Sequence, residues 1–300
     1  MSFNTIRHRL RHGRPLVVDA DTCAAFRARG VALDTPGSVG LLLRKRPDDV
    51  LAHYRAEVQS RVDLLSALTA DTTPRALAEV GMEHRSAALT GLAVELALEA
   101  AAANPKPVGV AGVLGSDMVS SIAVDRQREE LTEHAHRIAA AGVELIIARG
   151  QGSRLDLMAA VVAAAETELP TWAVVECLPG GELVAGGDLA SLVQSLEQAG
   201  ASAVLLEVPS VDEGLEQLCH LGAVSGDSVP GVLLAGGRGS VRGFPDPESD
   251  ATHWAQGALE LDARGARVIG GGAGTTEAHT ATLAQALGSL HPSIPAPRSA

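Results

Sequence analysis

The stretch Val268-Ile269-Gly270-Gly271-Gly272-Ala273-Gly274-Thr275-Thr276-Glu277-Ala278-His279 joins an apolar run to a helical one through a chain of glycines. The apolar run, 266–270, is short and nearly continuous in apolar character, as a strand buried on both faces must be. Beyond the turn, residues 276–288 place apolar side chains at helical spacing. A strand, a tight turn and a helix form the repeating unit of a parallel α/β fold.

Working back toward the N-terminus, the same unit recurs. Apolar runs at 16–19, 62–67, 107–113, 143–148, 171–176, 203–208 and 229–235 read as seven further strands. Helical patterns fill 47–60, 85–103, 123–141, 153–167, 188–199, 211–221 and 250–264. Ser210 with Asp212, and the stretch from Asp117 to Ser121, mark helix starts; Gly142, Gly200 and Gly265 mark helix ends. Eight such alternations predict a (β/α)8 TIM barrel, a fold of about 250 residues before extensions. The rival is an open doubly wound sheet, but no G-x-G-x-x-G follows the first strand. No composition break marks a second domain, so residues 1–300 read as one barrel with a core of about 14–288. Residues 289–300, with Pro292, Pro295 and Pro297, read as a loose tail.

Composition narrows the function. The chain of 300 residues is 46% apolar and 20% charged, a globular balance. Its 36 acidic residues outnumber 24 Lys and Arg, for a net charge of −12. That excess repels phosphate backbones and anionic lipid, which argues against nucleic-acid and membrane partners and for a small-molecule substrate. Three cysteines are too few for a secreted disulfide framework. The basic start, Met1 to Arg11, is followed by no apolar signal core, and no apolar run reaches membrane-spanning length. The expectation is a cytoplasmic protein, with a homo-oligomer left open.

In a barrel, chemistry gathers past the C-terminal ends of the strands. Asp19 and Asp21 follow the first strand, Asp71 the second, Arg149 the fourth. Glu176 ends the fifth, Glu207 lies in the sixth, and Arg238 follows the seventh. Converging carboxylates there can hold an ammonium, act as acid and base, or take up Mg²⁺ or Mn²⁺. Arg149 and Arg238 suit a carboxylic substrate, or an internal ion pair with those same acids. The amides of Gly271, Gly272, Gly274, Thr275 and Thr276, at a helix N-terminus, suit an anion, unless the glycines only serve packing. Cys23 and Cys177 fall on opposite sides of such a barrel and make a poor pair. His134 and His136 do not share a helix face, and Cys219-His220 and His279 read as structural. Only six aromatic residues occur, of which Phe244 and Trp172 fall nearest the expected mouth, too few for an aromatic cage around a quaternary ammonium.

The stretch that opens this section resembles the homocysteine S-methyltransferase family, which reads Ile-Gly-Gly-Cys-Cys-Gly-Thr-Thr at this point with a His soon after. Val17-Val18-Asp19 with Phe26-Arg27-Ala28-Arg29-Gly30-Val31 looks like the family's first strand and the segment after it. Val110-Ala111-Gly112-Val113-Leu114-Gly115 resembles its third strand, and Leu183-Val184-Ala185-Gly186-Gly187 the loop after its fifth. The resemblance runs over roughly residues 14–288. It implies a barrel that transfers a methyl group to a homocysteine sulfur held as a thiolate on zinc by three cysteines. Here the cysteine pair is replaced by Gly272 and Ala273, and the third, at the end of strand six, falls in Leu206-Glu207-Val208. Zinc is therefore not expected, and no metal ligands are assigned.

The expected function is a diverged, zinc-independent enzyme acting on a small amino-acid-like or sulfur- or selenium-containing substrate. An activated donor such as a sulfonium would supply the methyl group. Asp19 and Glu207, with Glu176, are the candidate catalytic residues. Asp21, Asp71, Arg149, Arg238 and the loop from Gly271 to Thr276 are the candidate binding residues. Two alternatives stand beside it: a lyase or hydrolase with Mg²⁺ or Mn²⁺ on the carboxylates, and a non-catalytic binding or scaffold member.

Overall fold

Successive strand residues bury opposite faces, and both faces are dry. Leu16, Val18, Leu64, Ile147, Val174 and Leu205 belong to one buried cluster, and Val17, Leu65, Ile146, Val175 and Leu206 to another. The first fills the bore of a barrel and the second packs its outer surface against helices, which is why the strand runs carry no alternation. The computed structural model describes residues 6, 7, 9, 10, 15–115, 124–150, 152–236 and 251–290.

The strands are β1 (Leu16–Val18), β2 (Leu64–Ala67), β3 (Gly109–Gly115), β4 (Leu145–Arg149), β5 (Thr171–Glu176), β6 (Ala201–Val208), β7 (Val229–Leu234) and β8 (Val268–Gly271). They pair in sequence order and all in parallel, and β8 returns to β1 through Leu16 opposite Val268, closing the barrel. The helices are α1 (Thr22–Ala28), α2 (Ser38–Lys45), α3 (Pro47–Gln59), α4 (Pro74–Ala78), α5 (Ser86–Ala102), α6 (Val124–Ala140), α7 (Arg154–Ala165), α8 (Leu189–Gln198), α9 (Val211–Val224), α10 (Ala251–Ala263) and α11 (Glu277–Leu290). The expected (β/α)8 TIM barrel is present, and each expected strand and helix lies within three residues of its predicted bounds. The short helices α1, α2 and α4 were not foreseen. They are too brief to show a helical period, and their start signals, Asp21 and Thr73, are single capping residues.

Local chemistry fixes the helix ends. Ser210 accepts the Glu213 N–H at the start of α9, while Gly142, Gly200 and Gly265 take positive φ where helices stop. The stretch from Asp117 to Ser121 lies outside the described residues. Helix α11 runs through Leu290, so it extends into the segment read as a tail; 291–300 lie outside the described residues. Ile6, fully buried, joins the bore cluster from the N-terminal side. Beside it the Arg9 guanidinium lies 2.5 Å from Asp63, which also accepts the Val17 N–H. One end of the bore is thereby plugged, leaving the ends of the strands at the other. Among the described residues no helix is long and apolar enough to cross a membrane.

Candidate functional site at the barrel mouth

Asp19 follows β1 directly and is 2% exposed. Its carboxylate grips β2, accepting the Ser66 N–H at 2.8 Å and the Ser66 hydroxyl at 2.7 Å. Burial pushes this carboxyl up to about 7 against the pull of both Ser66 donors. Two residues on, Asp21 caps α1 through the Ala24 N–H at 3.0 Å. Its other oxygen accepts the Gly274 N–H at 3.4 Å, and its own N–H donates to the Thr275 hydroxyl. The exits of β1 and β8 are thus tied together.

That tie decides what the glycine turn can offer a ligand. Gly271 donates to the Asp19 carbonyl, Gly272 to Leu234, Thr275 to Gly272, and Thr276 to the His279 ring. With Gly274 on Asp21, each of the five amides read as an anion cradle is spent inside the protein. The turn instead serves packing: Gly274 sits at φ +80°, and a methyl on Gly271 would fall 2.2 Å from the Thr275 hydroxyl.

Side-chain parity in β6 aims Glu207 the same way as Leu205, into the bore. There it meets Arg149, the last residue of β4, in a close ion pair. The neighbouring Glu207 charge, then Asp21 and Glu176, holds the guanidinium firmly protonated against its burial. This pair stands between two chambers. The inner one, about 330 Å³, is lined by Asp19, Asp21, Cys23, Ser66, Asp71, Gly271 and Gly272 over a floor that includes Val18, Ile147 and Leu233. The outer one, about 460 Å³, is lined by Arg27, Gly150, Glu176, Cys177, Val184 and Pro209. Ala70, Arg149, Glu207 and Ala273 line both. Asp71 also accepts the Val39 N–H at 3.4 Å.

The mouth therefore brings together Asp19, Asp21, Asp71, Arg149, Glu176, Glu207, Gly271 and Gly272, and leaves Gly274, Thr275 and Thr276 behind its wall. Arg238 and Phe244 lie outside the described residues. Trp172 is not at the mouth: it belongs to the bore cluster near the start of β5, so no described residue lining either chamber is aromatic. Ser66 was missed. Its signal was a lone hydroxyl in the apolar run Leu64-Leu65-Ser66-Ala67, at bore-facing parity. Cys23 lines one chamber and Cys177 the other, and burial pushes both thiols up to about 12. His134 is buried against the Thr69 carbonyl, and His279 serves the start of α11. A groove of about 1100 Å³ on α6 is lined by salt-bridged surface chains such as Arg126, Glu129 and Glu130 and shares no residue with the two chambers of the mouth.

The three thiolates that the resemblance implies for zinc do not fit this mouth. Gly272 and Ala273 carry no donor atom. A side chain on Gly272 would meet the backbone of Leu233 to Ala235 at 3.0–3.1 Å, so the cradle is closed there. Glu207, the bore-facing residue at the end of β6, is engaged by Arg149. Among the described residues, no group of three or more His, Cys, Asp or Glu is placed to hold a metal ion.

The fold has clear counterparts. The homocysteine methyltransferase MmuM from Escherichia coli, in its metallated form, superposes with a TM-score of 0.78 at 20% identity over 94% of this chain and 99% of that one. Its apo form gives 0.71 over the same shares. A 3-dehydroquinate dehydratase from Geobacillus kaustophilus gives 0.53 at 11% identity, over 94% and 93%. No curated protein matches the chain. The sequence model described as homocysteine S-methyltransferase matches residues 16–287, from the first residue of β1 into the last turn of α11. With that model covering every strand of the closed barrel, the chain belongs to the homocysteine S-methyltransferase family.

Proposed function

We propose that this chain is a zinc-independent member of its family that methylates a small amino-acid-like or sulfur- or selenium-containing acceptor from a cationic donor such as a sulfonium. The observation that supports it is the side-chain set of the mouth. Where three thiolates would stand there are Gly272, Ala273 and the Arg149–Glu207 pair, while the walls carry Asp19, Asp21, Asp71 and Glu176. Carboxylates facing a small chamber favour a positively charged ligand, and the apolar floor of Val18, Ile147 and Leu233 suits its methyl groups.

In the reaction, the acceptor sulfur or selenium attacks the methyl carbon of the donor. The donor's S–CH₃ bond breaks and its electron pair stays on the departing neutral thioether. The acceptor's proton passes to a carboxylate. Asp19, with its carboxyl pushed up to about 7, is poised to take that proton near neutral pH, and Glu207 is the second candidate. The protein's contribution is to hold donor and acceptor in line in two adjoining chambers.

The test is methyl transfer by chelator-treated protein from ¹³C-methyl-labelled S-methylmethionine to homocysteine or selenohomocysteine, followed by NMR. Label is expected in the product thioether or selenoether at a rate unchanged by chelation, with Asp19→Asn and Glu207→Gln each slowing turnover about a hundredfold. Transfer that appears only after zinc is added overturns the reading, as does full turnover by both variants.

A further inference from the structure

We infer that Arg149 is the resident cation of the mouth, a receptor for the carboxylate of a small zwitterion in the place where the family pattern calls for a metal. The inference rests on the zinc-independent reading above and names the part of the substrate that is read first. A guanidinium offers five N–H donors in a planar fork. Arg149 spends one of them on Glu207, and no other hydrogen bond of its side chain occurs among the described residues. Its side chain stays 37% exposed, against 15% for Glu207, so the unspent edge faces the chambers while Glu207 holds the plane.

The competing anion receptors at the mouth are engaged. The amides of Gly271, Gly272, Gly274, Thr275 and Thr276 donate within the protein. Arg27, which lines the outer chamber, donates to the Leu33 carbonyl and pairs with Asp34. Arg149, with one donor spent against Arg27's two, keeps the larger share free and alone of the two lies at the seam shared by both chambers. Asp21, Glu176 and Glu207 surround it, so a bare anion is repelled, and a ligand gains by bringing its own ammonium for those acids. A carboxylate seated bidentately on Arg149 with its ammonium against these acids satisfies both signs.

The test titrates the intact protein while following the Arg149 Nε–H signal by ¹⁵N NMR, assigned by its loss in Arg149→Lys. L-Methionine is expected to shift the signal, and L-methioninol, which lacks the carboxylate, to leave it in place. Arg149→Met is expected to weaken L-methionine binding at least about tenfold, with Arg149→Lys falling between. A signal unmoved by L-methionine, or moved equally by both ligands, overturns the inference, and the wild-type titration decides this even if a variant fails to fold. Retention of one zinc per chain after desalting, lost in Glu207→Gln, also overturns it. A carboxylate-dependent shift without any methyl transfer sustains Arg149 as the receptor and sinks the proposed reaction alone.

Discussion

Glu57 on α3 is fully buried, yet no ion pair reaches it among the described residues. One oxygen accepts the Ala20 N–H at 3.4 Å and the other the Thr280 hydroxyl at 2.9 Å, so this carboxyl braces the β1 exit against α11. Burial first, and the Asp19 charge second, push it from 4.5 up to about 8. The folded chain therefore holds the Glu57 proton more tightly than the unfolded chain does. The stabilisation carried by that proton is complete below about 4.5 and is lost as the pH rises through about 8. At about 1.4 kcal/mol per tenfold change in proton affinity, the loss by pH 9 is bounded at roughly 5 kcal/mol, and a few kcal/mol is the expected scale. Glu57→Gln keeps the neutral shape at every pH. Its carbonyl can accept from Ala20, and its amide can donate to the Thr280 oxygen, whose single hydrogen is then left for the Glu277 carbonyl 3.1 Å away. Urea unfolding from pH 5 to 9 should find variant and wild type alike at the acid end, with the variant more stable by a few kcal/mol at the alkaline end. Asp19 titrates in the same sense near 7 and is present in both proteins, so their difference reads Glu57 together with its coupling to Asp19. A difference that stays flat across this range, or a Gln variant that is less stable at pH 9, refutes the reasoning.

Three further outcomes follow from the same geometry. Asp19→Asn keeps an acceptor for the Ser66 N–H but removes a group that titrates near 7, so the rise of kcat with pH through neutrality should vanish from the methyl-transfer profile. Gly271→Ala would push a methyl to 2.2 Å from the Thr275 hydroxyl and 2.8 Å from the Ala20 backbone, and should cost about 1–3 kcal/mol in urea unfolding. Ile6→Ala empties the floor of the bore and should cost about 2–5 kcal/mol in the same assay, with ligand binding at the opposite end unchanged.

How far the sequence reached depends on which physical rule each feature obeys. The strands were legible because a strand walled by bore and helices must be apolar along its length, and runs such as Leu145 to Ala148 are. Their order was legible because parallel strands joined by helical crossovers pair as they come. The carboxylates of the mouth were legible for the same reason, since a charged residue at the end of such a run has nowhere to go but the rim. What the sequence withheld are choices between partners. Arg149 had several acids to pair with, and its selection of Glu207 follows from β4 and β6 facing each other across β5, a distance no spacing rule encodes.

The glycine turn shows the same limit from the other side. Seen as a string, Gly271 to Thr276 is a helix N-terminus rich in free amides, and a helix N-terminus attracts anions. That rule holds here, but the anion is the protein's own: Asp21, brought round by closure of the barrel, already takes the Gly274 N–H, and the Asp19 and Leu234 carbonyls take their neighbours. A site that has filled its amide cradle with an internal carboxylate must receive an outside anion elsewhere. Along this mouth Arg149 holds unspent donors at the seam of both chambers, which is why a substrate's carboxylate, rather than its sulfur, is the group expected to set how it enters.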